Sequence, residues 1–133
     1  IIGAGYNEDW FDKALISISP FEWIKLFDRA QFVITGTFHG TIFAIKAKKK
    51  FIAYPTLPNR VEKIRFLLNE FNIEQQLLNN RNKNRIIDYL LQDIDYQSVY
   101  EKIDELRMES INFIKNSVDT RRWKTWEMQR KDL

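Results

Sequence analysis

The sequence predicts an α/β fold in which a parallel sheet is flanked by helices, and two observations favour it. Between residues 15 and 71, short apolar runs rich in β-branched and aromatic residues alternate with stretches of helical periodicity. This alternation is typical of strand–helix–strand units with parallel strands. In addition, glycine and threonine residues cluster directly after one of these runs. Folds of this class place their ligand sites at such positions, where a strand ends and a helix begins.

Each predicted element has its own local signal. Ser19 and Pro20 suit the N-cap and the first position of a helix. Two prolines and an asparagine between residues 55 and 59 can continue neither periodicity, so that stretch reads as a loop. The polar stretch 72–84 is predicted to be turn-rich. The apolar runs place strands at 15–18, 31–34 and 51–54, and the spacings place helices at 21–29, at 41–47 and from Arg60 onward.

The C-terminal third has a different pattern. Residues 86–118 are helical in two pieces, broken near residues 93–96, and carry one apolar stripe. We therefore divide the chain into a Rossmann-like half-domain, 1–85, and a helical extension, 86–133, that packs on it or on a missing N-terminal domain. Residues 121–127 contain two tryptophans among charges, and we expect them to dock on that missing half. The abrupt start at Ile1, without methionine, suggests a C-terminal fragment.

Composition limits the classes of function. A chain of 133 residues with 44% apolar residues can bury a core, and a net charge of +3 without dense basic clustering argues against a nucleic-acid-binding domain. Zero cysteines exclude disulfides and thiolate sites, and a single histidine without clustered carboxylates argues against a metal. No apolar run is long enough to span a bilayer. We expect a cytoplasmic protein, with membrane association and oligomeric state left open.

The turn after the predicted strand 31–34 is the most informative feature. It contains His39, the one histidine of the chain, at the carboxyl edge of the predicted sheet. Gly36 and Gly40 allow a tight turn and a close approach of backbone to ligand. Hydroxyl groups lie beside the N–H groups that begin the next helix, and they belong to Thr35, Thr37 and Thr41. The turn is therefore predicted to hold an anion.

The same turn carries a resemblance to a known family. The stretch from Ser19-Pro20 through Ala30-Gln31 to Phe38-His39-Gly40-Thr41 and Ile45 resembles the C-terminal half of the polysaccharide pyruvyl transferases, with a likeness over roughly positions 15 to 80. The family's histidine–glycine pair corresponds to His39 and Gly40. Many members carry an acidic residue followed by Ser or Arg where this chain has Gly36 and Thr37. An anion contact from an arginine at that point is therefore absent.

The resemblance implies both an architecture and a reaction. Members are similar to two-domain (GT-B-like) glycosyltransferases with paired Rossmann-like halves. They move a pyruvyl group from phosphoenolpyruvate onto sugar hydroxyls as a ketal, without a cofactor. Here His39 would carry a proton, and the helix start with Arg60 and Lys63 would hold the anionic groups. The acceptor would be a sugar or a lipid-linked glycan in exopolysaccharide biosynthesis, and this half alone would be inactive.

Other interpretations stay open. A lone histidine is often a structural residue, and Arg60 and Lys63 could simply solvate a helix edge. The lysines at 46–50 suit a solvated helix end, and Glu22 suits a capping residue better than an acid catalyst. The same turn could grip the diphosphate of a nucleotide sugar in another two-Rossmann transferase. A non-catalytic domain of this fold is a third possibility.

Overall fold

The computed structural model describes residues 1–5, 8–79 and 82–118. Two 3₁₀ turns lie at Glu74–Gln76 and Lys83–Arg85. The strands and helices of this part of the chain are, in order, β1 (Ile2–Ala4), β2 (Lys13–Leu15), α1 (Pro20–Arg29), β3 (Phe32–Thr35), α2 (Phe38–Lys46), β4 (Lys50–Ala53), α3 (Pro58–Glu70), α4 (Ile86–Leu91) and α5 (Tyr96–Val118).

The strands pair in parallel, which confirms the α/β class. β1 pairs with β2, and β3 pairs with β4 in a register that sets Thr35 opposite Ala53. A further parallel bridge joins Ala53 to Leu77, and the Leu78 N–H donates to the Ala53 carbonyl at 2.8 Å. Helix α2 connects β3 to β4, as a parallel pair requires. The two-domain arrangement that the resemblance implies stays a prediction.

The chain forms two compact units, Ile1–Ile94 and Asp95–Leu133. The predicted break in the C-terminal helical region is confirmed, because α4 ends at Leu91 and α5 begins at Tyr96. The boundary between units falls after α4, and α4 packs against β4 within the first unit. The functional division into 1–85 and 86–133 stays a prediction. The tryptophan-bearing stretch 121–127 lies outside the described residues.

Most predicted boundaries lie within one residue of those observed, but three elements begin two or three residues from their predicted starts. The strand predicted at 15–18 lies at Lys13–Leu15, because its backbone pairs with β1 there and not beyond. Helix α2 begins at Phe38 instead of residue 41, since Thr37 caps it. Pro58 begins α3 instead of ending a loop, because its fixed φ suits the first turn of a helix. The consequence for function is that His39 lies in the first turn of α2.

Strand β4 forms the centre of the first unit. Its residues Phe51, Ile52 and Ala53 have no exposed surface, so both faces of the strand are covered. Helix α2 contributes Ala44 and Ile45 to this core. By contrast, one face of β3 stays exposed, and Ile34 on that face keeps 61% of its surface. The fully buried residues of α3 are Ile64 and Leu68.

The second unit consists, in its described part, of α5. Asp95 precedes this helix, and its carboxylate accepts hydrogen bonds from the Ser98 N–H at 3.2 Å and the Ser98 hydroxyl at 2.6 Å. These bonds hold the pKa of Asp95 below its ordinary value. Across the described ranges, no helix combines the length and apolar composition needed to cross a bilayer.

The start of α1 confirms the predicted cap and offers a test of stability. Ser19 Oγ accepts from the Glu22 N–H at 3.2 Å, and the Glu22 carboxylate accepts from the Ser19 N–H at 3.0 Å. Hydrogen bonds from the side chain and the backbone of Ser19 to the Glu22 carboxylate lower the pKa of Glu22, so the cap weakens as pH falls through that lowered pKa. Replacing Ser19 with alanine should therefore reduce the free energy of unfolding by about 1 kcal/mol at neutral pH.

Urea unfolding measures this loss. Ser17→Ala is the matched control, because no described residue forms a hydrogen bond with the Ser17 side chain. We expect that control to unfold at the same midpoint as the original chain. Equal midpoints for Ser19→Ala and Ser17→Ala would contradict a stabilising cap.

Candidate functional site

The turn with His39 lies at the carboxyl edge of the β3–β4 pair. β3 ends at Thr35, which is in register with Ala53, the last residue of β4. The chain then passes through Gly36 to Thr37, the N-cap of α2. This position matches the predicted strand-to-helix turn. It brings His39 to the edge where parallel α/β folds bind ligands.

Hydroxyl groups hold the turn together from inside. Thr35 Oγ1 accepts from the Thr37 N–H at 3.2 Å and lies 3.3 Å from the Thr37 hydroxyl oxygen. Thr37 Oγ1 in turn accepts from the Gly40 N–H at 3.1 Å. Thr41 is fully buried, and both its N–H and its hydroxyl donate to the Thr37 carbonyl at 3.0 Å. The side chains of the three threonines that were predicted to contact an anion thus form hydrogen bonds within the turn itself.

The two glycines fit close contacts. A Cβ at position 36 would lie 3.1 Å from the Tyr54 carbonyl oxygen, and the Tyr54 N–H donates to the Thr35 carbonyl at 2.8 Å. The loops after β3 and β4 are therefore tied together. A Cβ at position 40 would overlap Thr35 Oγ1 and approach Thr37 Oγ1 to 2.9 Å. Gly40 is thus the residue type that this turn requires.

His39 projects from the first turn of α2 and is exposed. Its ring is nearly perpendicular to that of Phe38, with ring centroids 6.1 Å apart. In the part of the chain that the structure describes, its side chain has no hydrogen-bond partner, and the N–H groups of Phe38 and His39 have no acceptor. An accessible imidazole beside two unpaired donors can pass a proton next to a bound anion.

Arg60 and Lys63 lie at the start of α3, which follows β4. Both side chains are exposed, and neither forms an ion pair with a described residue. Arg65, one turn further, differs because it pairs with Glu62. The first turn of α3 holds no acidic residue, and α3 packs against α2. Because β3 and β4 are parallel neighbours, the starts of α2 and α3 lie at one sheet edge, which carries unpaired positive charge.

The lysines at 46–50 do more than solvate a helix end. Lys49 Nζ donates to the Asp28 carbonyl in the last turn of α1 at 2.9 Å. Lys50 Nζ donates to the Leu91 carbonyl at the end of α4 at 3.1 Å and pairs with Asp93 at 2.7 Å. This ion pair lowers the pKa of Asp93. Lys49 and Lys50 thus stabilise the C-terminal ends of α1 and α4, at the sheet edge opposite His39.

A third segment, residues 77–79, reaches the sheet edge that carries His39 and was not predicted from the sequence. The Ala53–Leu77 bridge carries Leu78 and Asn79 past the end of β4, to the same edge as His39. Asn79 and Asn82 exchange backbone-to-side-chain bonds of 2.7 and 3.3 Å, and Asn82 Nδ2 donates to the Leu77 carbonyl. The available signal was the Asn-x-x-Asn spacing, which resembles a reciprocal cap. Without the bridge, nothing in the sequence linked it to β4.

Metal ligands are not grouped in the described ranges. No set of three or more histidine, aspartate or glutamate side chains lies close enough there to hold an ion. Together, the parallel strand pairs and the histidine-bearing helix start define a small α/β unit with a candidate anion site.

The family comparison bears directly on this turn. The family model described as polysaccharide pyruvyl transferase matches residues 5–58, from the residue after β1 to the first residue of α3. The resemblance noted in the sequence over roughly positions 15 to 80 is thereby confirmed as far as residue 58, a stretch that includes the whole His39 turn. The family is one of transferases. No curated protein and no solved structure gave a significant match to the chain.

Proposed function

We propose that this chain forms the C-terminal half of a polysaccharide pyruvyl transferase. The complete enzyme would transfer a pyruvyl group from phosphoenolpyruvate to a sugar hydroxyl of a cell-surface glycan or its precursor. The observation that carries the proposal is the family match, which spans the His39 turn and ends where α3 begins. The missing half would come from a preceding domain that contributes most contacts to the acceptor. A cytoplasmic location fits the supply of phosphoenolpyruvate.

The proposed chemistry needs a proton carrier and cations. One proton goes to the methylene carbon of the enolpyruvyl group, which becomes the ketal methyl. Two acceptor hydroxyls bond to the ketal carbon and lose their protons; one proton balances that given to the methylene carbon, and the other leaves with the phosphate as the C–O bond to phosphate breaks. His39 would deliver the first proton or accept one from a hydroxyl, since its side chain is exposed at the sheet edge. No cofactor or metal has a part in this scheme.

Anion binding would use the groups that the turn leaves free. The N–H groups of Phe38 and His39 have no acceptor among the described residues, and Arg60 and Lys63 keep unpaired charges. The hydroxyls of the threonines and the N–H of Gly40 already bond inside the turn. Ligand contact by Thr35, Gly36, Thr37, Gly40 and Thr41 therefore remains a prediction, and Phe38 and His39 supply the donors that we favour.

Equilibrium binding separates the three candidate functions. Isothermal titration calorimetry of the chain with phosphoenolpyruvate, and separately with a nucleotide sugar, compares the two donors directly. Saturable binding of phosphoenolpyruvate supports the proposal, and preference for the nucleotide sugar supports the two-Rossmann glycosyltransferase. A folded chain that binds neither ligand would support the non-catalytic domain.

Replacing Arg60 with alanine tests the predicted cation. Loss of one charge-assisted hydrogen bond costs about 1.5–3 kcal/mol, so the dissociation constant for phosphoenolpyruvate should rise about tenfold or more. Arg107→Ala is the matched control, because Arg107 is an exposed arginine on α5 with only a 4.0 Å contact to Asp104. Unchanged affinity in Arg60→Ala would assign Arg60 to the solvated surface.

A further inference from the structure

The Thr35 hydroxyl contacts both Thr37 and the position of Gly40 in the His39 turn. It accepts from the Thr37 N–H at 3.2 Å, lies 3.3 Å from Thr37 Oγ1, and occupies the space that a side chain at position 40 would need. Thr35 itself ends β3, and its carbonyl accepts from Tyr54. The backbone of Thr35 is therefore held by the sheet, and its hydroxyl lies against Thr37 and Gly40.

Thr37 transmits this constraint to the start of α2. Its hydroxyl caps the Gly40 N–H at 3.1 Å, and its carbonyl accepts from the N–H and the hydroxyl of Thr41. His39 lies between these anchored residues, although its own side chain bonds to none of the described residues. The direction of the imidazole thus depends on a turn that Thr35 and Thr37 hold.

We propose that Thr35 is a positioning residue for His39 and does not contact the substrate. It acts through its hydroxyl on Thr37 and through a steric interlock with Gly40, and together these fix the first turn of α2. The proposal deepens the proposed function and rests on it for the role of His39 in transfer. For Thr35 it is an alternative to the sequence-based prediction that this residue contacts the anion.

Two substitutions separate the hydroxyl from the shape of the side chain. Thr35→Val keeps the branched shape but puts a methyl group where the oxygen accepts the Thr37 N–H. Thr35→Ser keeps the oxygen and removes a methyl group. If positioning depends on the hydroxyl, valine disturbs the turn and serine preserves it. Ser110→Ala on α5 is the control for loss of a hydroxyl that donates to a helix carbonyl.

In the complete enzyme, we expect Thr35→Val to lower kcat about tenfold or more, because small displacements of a reacting group cost up to about a hundredfold. KM for phosphoenolpyruvate should stay unchanged, and Thr35→Ser should recover most of kcat. A rise in KM at constant kcat would overturn the proposal, since it would make Thr35 a ligand contact. Wild-type kcat in Thr35→Val would overturn it as well.

The chain has one histidine, so the imidazole gives a second readout that needs no activity. Its ring signals in nuclear magnetic resonance spectra of the 133-residue chain are assigned by their loss in His39→Gln. We expect Thr35→Val to shift or broaden these signals, and Thr35→Ser and Ser110→Ala to leave them unchanged. Unchanged signals in Thr35→Val would contradict positioning. If the enzyme transfers no pyruvyl group, the proposed function fails while this spectrum still decides the role of Thr35.

A double substitution covers the case in which Thr35→Val fails to fold. The interlock predicts that Gly40→Ala is tolerated better in a Thr35→Ala background than alone, because the overlapping oxygen is gone. The unfolding midpoints of the two single variants and the double variant measure this coupling. If the loss of stability in the double variant equalled the sum of the losses in the two single variants, the proposed steric contact between Thr35 and Gly40 would be contradicted.

Discussion

Replacing His39 with alanine in the complete enzyme should lower turnover about a hundredfold or more and leave the fold intact. This is the usual scale for the loss of a positioned general acid or base. The fold should survive because the side chain is exposed and bonds to none of the described residues. Phosphate release from phosphoenolpyruvate with a sugar acceptor measures turnover, and circular dichroism checks folding.

His39→Gln distinguishes proton transfer from simple binding. Glutamine keeps a hydrogen-bond donor but cannot titrate near neutral pH. We expect its turnover to fall as far as that of the alanine variant. Near-normal turnover in His39→Gln would mean that His39 only binds or orients a substrate. A fall in turnover together with a lower melting temperature would instead indicate a structural histidine.

Replacing Gly40 with alanine should destabilise the fold by about 2 kcal/mol, within the range for overpacked sites. The reason is that the new Cβ would overlap Thr35 Oγ1, which the sheet holds in place, and lie 2.9 Å from Thr37 Oγ1. The direction is diagnostic, because alanine in a helix normally exceeds glycine in stability by about 1 kcal/mol. Urea unfolding measures the difference. A more stable variant would show that the turn relaxes, and it would contradict the contact geometry.

Local signals allowed much of the secondary structure around the candidate site to be predicted. Ser19 and Pro20 marked the start of α1, and the glycine- and threonine-rich stretch marked a helix start at the carboxyl edge of a strand. Both depend on residues within a few positions of one another. The parallel pairing of β3 and β4 followed from the short connecting helix pattern.

Contacts between distant residues were harder to predict. Lys50 bonds to Leu91 and pairs with Asp93, more than 40 residues away, and composition showed only a cluster of charge. The Ala53–Leu77 bridge likewise joins segments with no shared local pattern.

Within the turn, the sequence showed which residue types are present but not how they bond. Thr35, Thr37 and Thr41 all carry hydroxyls next to a helix start, which suits either ligand contact or internal capping. The structure gives them partners inside the turn. The choice depends on side-chain rotamers and on how closely residue 40 approaches Thr35, and residue spacing determines neither.

The most direct test of the proposed function is a donor comparison in the complete enzyme with a sugar or lipid-linked glycan acceptor. Phosphoenolpyruvate and a nucleotide sugar are supplied in parallel, and release of phosphate or of nucleoside diphosphate is followed with and without acceptor. We predict phosphate release from phosphoenolpyruvate that requires the acceptor and is lost in His39→Ala. Acceptor-dependent release of nucleoside diphosphate, with no phosphate from phosphoenolpyruvate, would contradict a pyruvyl transferase.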